Sequence, residues 1–188
     1  MTAACSVEDA RLLMEEWTSN PALRVHMECV ACCMGAYAEL LAPDDRDRWI
    51  ICGLLHDFDY ERHPSTEEHP YIGVAHLRER GLVDEEILQA ILGHAEYTGT
   101  PRTTPMARAL FAVDELAGFI VACAKVRPNG IADLAPKSVR KKLKDKAFAA
   151  AVSREDIRIG IEELGEDETM HIQRCIDAIR NERERLGL

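Results

Sequence analysis

The stretch Leu54-Leu55-His56-Asp57-Phe58-Asp59-Tyr60-Glu61-Arg62-His63-Pro64 decides how the rest of the chain is read. An apolar run with helical spacing ends there in adjacent imidazole and carboxylate groups. Successive residues on a helix project about 100° apart, so His56 and Asp57 cannot simply cap one another, yet both can reach one ion lodged at the helix end. A single His-Asp pair means little. Its weight comes from its surroundings: His26 on the preceding helical segment, His69 and His94 after it, and Asp114 inside an otherwise apolar segment. Imidazole and carboxylate together form a nitrogen and oxygen donor set suited to transition metals.

Outward from this stretch, caps and apolar spacing predict helices on both sides. Residues 7–17 carry Leu12, Leu13 and Trp17 among acidic residues. Asn20-Pro21 is an N-cap followed by proline at the first helical position, opening a helix to about residue 41. Along it Leu23, His26, Val30, Cys33, Tyr37 and Leu40 share a buried seam. Asp44 or Asp45 opens the helix that ends at His56-Asp57. His69-Pro70 reads as a second cap pair, for a helix ending at Gly81, and Asp84 caps another to about residue 95. Thr104-Pro105 opens a central helix, 106 to about 126, apolar almost all round and interrupted by Asp114 beside Glu115. Beyond Pro128-Asn129-Gly130 a basic cluster follows, Lys137, Arg140, Lys141, Lys142, Lys144 and Lys146. Ser153 with Asp156 marks a helix ending near Gly165, and a last helix, about 167–186, is charged enough to lie on the surface. No segment alternates with period two. The fold class is therefore all-α, with residues 1–130 as a helical core and 131–188 as a C-terminal helical extension packed on it.

Composition narrows the function. A chain of 188 residues buries a substantial core, and 47% hydrophobic with 30% charged residues is the balance of a soluble globular protein. A net charge of -10 argues against a nucleic-acid polymer as partner, because phosphate backbones are bound by positive fields. The start, Met1-Thr2-Ala3-Ala4-Cys5, has neither the basic nor the apolar region of a signal peptide. The longest apolar stretch, 107–124, holds Asp114 and Glu115 at its middle, which argues against a membrane span. A cytoplasmic location is expected. Seven cysteines, an odd number mostly inside apolar helical patterns, are expected as reduced core thiols. A homo-oligomer is compatible with these features without being indicated by them.

Asp114 among Leu110, Phe111, Val113 and Phe119 is costly to ionise unless a cation or strong hydrogen bonds compensate. A salt bridge to a neighbouring helix would serve as well as a metal, and His26 alone reads equally as a core histidine. Only with His56 and Asp57 do they point to an ion. His63, His76 and His171 fit no ligand position and read as surface or loop residues. Cys29 and Cys32 form a Cys-x-x-Cys inside a helix, without a second pair to complete a zinc site. A Gly-x-Ser-x-Gly elbow and a glycine-rich phosphate loop are both missing, which argues against a serine hydrolase and the nucleotide-loop folds.

The order His26, His56-Asp57, Asp114, at widening intervals in an all-helical chain, resembles the HD superfamily of metal-dependent phosphohydrolases. His69-Pro70 with Gly73, and Ile91-Leu92-Gly93-His94, resemble the fuller pattern of its HDIG branch. Ala112-Val113-Asp114-Glu115-Leu116 falls where that family's closing Ala-Asp stretch would. The resemblance covers about residues 21–126 and implies an HD-domain helical bundle. It further implies that His26, His56, Asp57 and Asp114 bind one divalent transition metal (Mn, Fe, Ni, Co or Zn), and that His69 and His94 join Asp57 around a second. Asp57 would then bridge. The chain departs from the branch at Phe58-Asp59, where Ile-Gly is usual, and at Tyr60, where a lysine often follows. The Gly-Tyr-Pro element of the cyclic-dinucleotide phosphodiesterases is also missing, so the chain looks more like the small HD hydrolases of bacteria.

Such a site implies hydrolysis by activated water attacking phosphorus in line, with Asp57 at its centre and no protein nucleophile. Asp59 and Glu61 are candidates to orient water or act as general base, against a plain reading as exposed loop carboxylates. Arg102, Lys137, Arg140 and Lys141 are candidates to hold the substrate's phosphate, against a solvated helix face for the basic cluster. The expected activity is cleavage of a phosphate ester or anhydride of a small molecule, with a nucleotide the favoured partner. The same donors leave open a di-iron oxygenase of HD architecture and a non-catalytic metal- or nucleotide-binding sensor module.

Overall fold

A computed structural model describes residues 5–188; residues 1–4, part of the start on which a leader was argued against, lie outside the described residues. The described residues form helices and no strand: α1 (Val7–Trp17), α2 (Pro21–Leu41), α3 (Arg46–Leu55), α4 (Tyr71–Glu79), α5 (Glu85–His94), α6 (Pro105–Lys125), α7 (Pro136–Leu143), α8 (Arg154–Leu164), α9 (Glu168–Asn181) and α10 (Arg183–Leu186). Ser6 and Asp9 cap α1 reciprocally, and the side chains of Asn20, Asp84, Thr104, Ser153 and Asp167 accept first-turn N–H groups of α2, α5, α6, α8 and α9. Each such cap stabilises its helix by about 1 kcal/mol.

Two helix starts differ from the sequence reading. α3 follows a short 3-10 turn, Pro43–Asp45, and receives no side-chain bond from Asp45. The N-cap position of α4 falls on Pro70, with no side-chain bond to the helix, rather than on His69, whose imidazole turns inward and is buried.

α6 is the axis of the bundle. Its buried residues, from Met106 to Ala124, face every direction because α2, α5 and α8 enclose it. Two glycines allow helix backbones to touch. A Cβ on Gly53 of α3 would lie 2.6 Å from the Ala31 Cα of α2, and one on Gly160 of α8 would lie 2.6 Å from the Ala112 Cα of α6. The first approach sets the end of α3 against α2, and the second lays the start of α8 beside Asp114.

The last long helix has the exposed charged face its composition suggested, but it is also anchored by a buried one. α9 buries His171, Ile172, Cys175, Ile176 and Ile179, a helical stripe that packs on α2 and α6. One apolar cluster runs from Ala10 to Leu186, so residues 131–188 close one side of the same core. His171, read as a surface residue, is fully buried: its Nε2 donates to the Ala112 carbonyl at 3.0 Å, and its Nδ1 meets the Tyr37 hydroxyl at 2.6 Å. Burial holds its pKa below the ordinary histidine value. Five of the seven cysteines are buried, Cys5 and Cys32 being only half-covered. No described helix is long and apolar enough to cross a membrane.

Candidate metal centre

Donors from five segments meet at one place. His26 comes from the second turn of α2, His56 and Asp57 from the end of α3, His69 from just before α4, His94 from the last residue of α5 and Asp114 from the middle of α6. His26 Nε2, His56 Nε2 and Asp114 Oδ1 form one group, with separations of 3.0 Å (His26–Asp114), 3.4 Å (His56–Asp114) and 3.3 Å (His26–His56). His69 Nε2 and His94 Nε2 form a second with Asp57 Oδ1, each 3.2 Å from that oxygen and 3.3 Å from the other. The remaining Asp57 oxygen lies 3.8 Å from His26 and 3.7 Å from His56, so this carboxylate stands between the groups. Donors bound 2.0–2.2 Å from one ion at 90–110° are about 2.8–3.6 Å apart, and every edge within the two groups falls in that range.

The tautomers add an argument from chemistry. His56 Nδ1 lies 2.8 Å from the Gly53 carbonyl, His94 Nδ1 bonds the Ile91 carbonyl, and His69 Nδ1 lies 2.7 Å from Asp59 Oδ1. These oxygens accept, so each Nδ1 carries a proton, and once Nε2 gives up its own proton the ring presents a lone pair there. Lone pairs 3.3 Å apart repel one another unless a proton or a metal cation lies between them. Fixing the outer ring nitrogen in this way is how proteins orient metal-ligating histidines.

The local field is cation-seeking. Burial works against charging His56, but Asp57 and Asp114 outweigh it and push its pKa up to about 9. His69 is likewise pushed up to about 9, by Asp57 and Asp59 against burial. Burial opposes ionising Asp57, yet His56, His69 and His94 hold it well below the usual carboxylate range. Asp114 is held low in the same manner, by His56 and His26 against burial. A divalent cation entering either group therefore displaces protons.

Asp59 is not the exposed carboxylate that the loop reading suggested. It is 1% exposed, with Oδ1 on His69 and Oδ2 accepting the Gly73 N–H at 2.7 Å. Both oxygens are engaged, so Asp59 orients His69 instead of reaching water as a general base. Glu61 is no base either: it accepts the Ser19 and Asn20 N–H groups at 2.7 and 2.9 Å and pins the loop to the junction of α1 and α2. Asp59→Ala is expected to weaken metal binding at the His69 group by about 10–100-fold and leave the His26 group loaded. Metal titration followed by elemental analysis checks this, and unchanged affinity for both ions would contradict the positioning role.

A cavity of about 410 Å³ opens over the donors, walled by Tyr60, Glu96, Tyr97, Glu115 and Asp156 among others. No lysine or arginine lines it among the described residues. The four basic residues expected at the phosphate lie elsewhere. Arg102 forks onto Glu163 through two bonds of 2.6 Å, pairs with Glu96 and covers the Phe111 ring. Arg140 pairs with Glu168 at 2.7 Å, Lys137 is exposed on α7, and Lys141 borders a separate groove beside Cys123. Glu115 accepts the Ser153 N–H at 3.0 Å, and burial together with Asp114 pushes its pKa up to about 7.

The sequence reading passed over the cavity wall. Tyr60 follows Asp57 by three residues and Tyr97 follows His94 by three, roughly one helical turn beyond a donor, and that spacing was the available signal. Asp156 carried no such signal, because only the seating of α8 on α6 brings it there.

No curated protein and no solved structure matches the chain significantly. The family model of the HD domain matches residues 24–118. That segment runs from the first turn of α2 into α6 and contains all six converging donors, His26, His56, Asp57, His69, His94 and Asp114; on the match and the arrangement together, the chain belongs to the HD domain family.

Proposed function

We propose that the protein is a metal-dependent phosphohydrolase that cleaves a phosphate ester or anhydride of a small molecule. The observation that supports this most is Asp57, whose two oxygens face separate imidazole groups across one open cavity. His26, His56 and Asp114 would hold one ion, His69 and His94 the other, and Asp57 would bridge them, the two-ion form that the HDIG-like order of motifs supports. When bound, such ions acidify a water and polarise a phosphoryl oxygen. The chain's own part is positional: the Gly53 and Ile91 carbonyls and the Asp59 carboxylate hold three rings with Nε2 facing inward. With no lysine or arginine lining the cavity among the described residues, charge on a second or third phosphate would lack a protein partner, which favours an ester presenting one phosphoryl group over an anhydride. Within that class the resemblance favours a nucleotide, whose base has the rings of Tyr60 and Tyr97 available for stacking.

The test is elemental analysis of protein purified without a chelator or metal-affinity tag, followed by hydrolysis assays on a phosphate panel with Mn, Ni, Co and Fe. His94→Ala is expected to lower turnover on the order of 10²-fold while one ion per chain is retained at the His26 group. Equal loss of both ions would count against a two-ion site. The same donors suit a di-iron oxygenase, and iron-replete protein with a redox-linked visible spectrum and no hydrolysis would favour that reading.

A further inference from the structure

Two carboxylates on the cavity wall serve neither ion. Glu115 follows the donor Asp114 on α6, and Asp156 lies in the first turn of α8. They are brought to one wall because Gly160 lets α8 lie directly on α6 and because the Ser153 N–H reaches Glu115. Neither has a lysine or arginine partner among the described residues, whereas the third wall carboxylate, Glu96, is paired with Arg102 at 2.9 Å. Opposed charge is therefore missing from one side of a cavity that holds five carboxylates in all.

Two aromatic rings line the same cavity. Tyr97 is 49% and Tyr60 40% exposed, yet both are held in place, Tyr97 by donating its hydroxyl to the His69 carbonyl at 2.9 Å and Tyr60 by packing edge-on against the His69 ring. Aromatic faces and unpaired carboxylates both attract an organic cation, and together they repel an anionic group. A nucleobase would use the rings but offer no charge opposite to Asp156 and Glu115.

Resting on the phosphohydrolase reading above, we infer that the substrate is a phosphomonoester whose leaving group carries an ammonium group, held by Asp156 and Glu115 with Tyr60 and Tyr97. The phosphoryl group faces the donor cluster and the cationic end faces this wall. In the reaction the oxygen of water bonds to phosphorus, the ester P–O bond breaks, and the proton released from water ends on the oxygen of the departing amino alcohol.

The probe is choline against its uncharged isostere 3,3-dimethyl-1-butanol, since the quaternary nitrogen offers no donor to a metal. Calorimetry on manganese-loaded protein is expected to show choline binding at least 10-fold more tightly, with the difference removed in Asp156→Asn. Kinetically, phosphocholine is expected to exceed 3,3-dimethylbutyl phosphate by about 10–100-fold in kcat/KM, and Asp156→Asn should collapse that preference by raising the KM for phosphocholine. Equal binding of choline and its isostere overturns the inference. So does preferential cleavage of adenosine monophosphate that Asp156→Asn leaves untouched, although the hydrolase reading survives both results. Asp156-dependent choline binding with no ester cleaved under any metal supports the ammonium subsite and sinks the hydrolase reading instead.

Discussion

Asp57→Ala is expected to strip both ions from the protein and to lower turnover on the order of 10³-fold or more, with helix content unchanged. Asp57 is the one residue whose oxygens lie near all four inward-facing imidazoles, at 3.2 Å on one side and 3.7–3.8 Å on the other. Its loss would remove the carboxylate that stands between the two groups, and with it much of the negative charge that raises the His56 and His69 pKa values. A metal electrophile contributes several kcal/mol to the transition state, and each 1.36 kcal/mol is tenfold in rate, which sets the size of the effect. Helix content should persist because Asp57 lies beyond the end of α3 and donates no cap. Elemental analysis, circular dichroism and the panel assay form one experiment. Full activity in the variant, or one tightly held ion with normal turnover, would remove the basis for a bridging role.

Gly53→Ala is expected to have the second largest effect, on stability and metal retention together. The added methyl would sit 2.6 Å from the Ala31 Cα and 2.8 Å from its nitrogen, and backbone cannot swing away as a side-chain tip can. Overpacking costs about 1–3 kcal/mol, here toward the upper end, while alanine regains about 1 kcal/mol of helix propensity. The net loss of about 2 kcal/mol should lower Tm by about 4–8 °C. Because the Gly53 carbonyl accepts the His56 Nδ1 proton at 2.8 Å, parting α3 from α2 also turns a donor away from the His26 group. Gly118→Ala is the control: it gains the same propensity on α6, and its nearest neighbour is the His26 ring at 3.7 Å. A Gly53→Ala protein as stable as wild type and fully metal-loaded would show that α2 and α3 can separate without consequence.

Residue patterns along the chain were enough for the all-helical class and the caps at Asn20, Asp84, Thr104 and Ser153, and, with the resemblance to the HD superfamily, for singling out the six residues that the structure brings together. These were legible because caps and apolar stripes act within about four residues. Imidazoles and carboxylates interrupting such stripes are anomalous wherever the chain folds. The reading erred where a local feature was allowed to stand for a tertiary one. His171 read as a surface residue, yet it lies on the stripe of α9 that α2 and α6 cover, with Cys175 and Ile179. Asp59 read as a candidate general base or an exposed loop carboxylate, yet the closeness of Gly73 buried it against His69. Arg102 read as a phosphate ligand, and Glu163, sixty-one residues away, took it instead. Which carboxylates line the cavity and which cations are already paired follow from packing between segments distant in the chain. Those outcomes depend on helix backbones meeting at Gly53 and Gly160, contacts between segments far apart in the chain that no periodicity within one segment encodes.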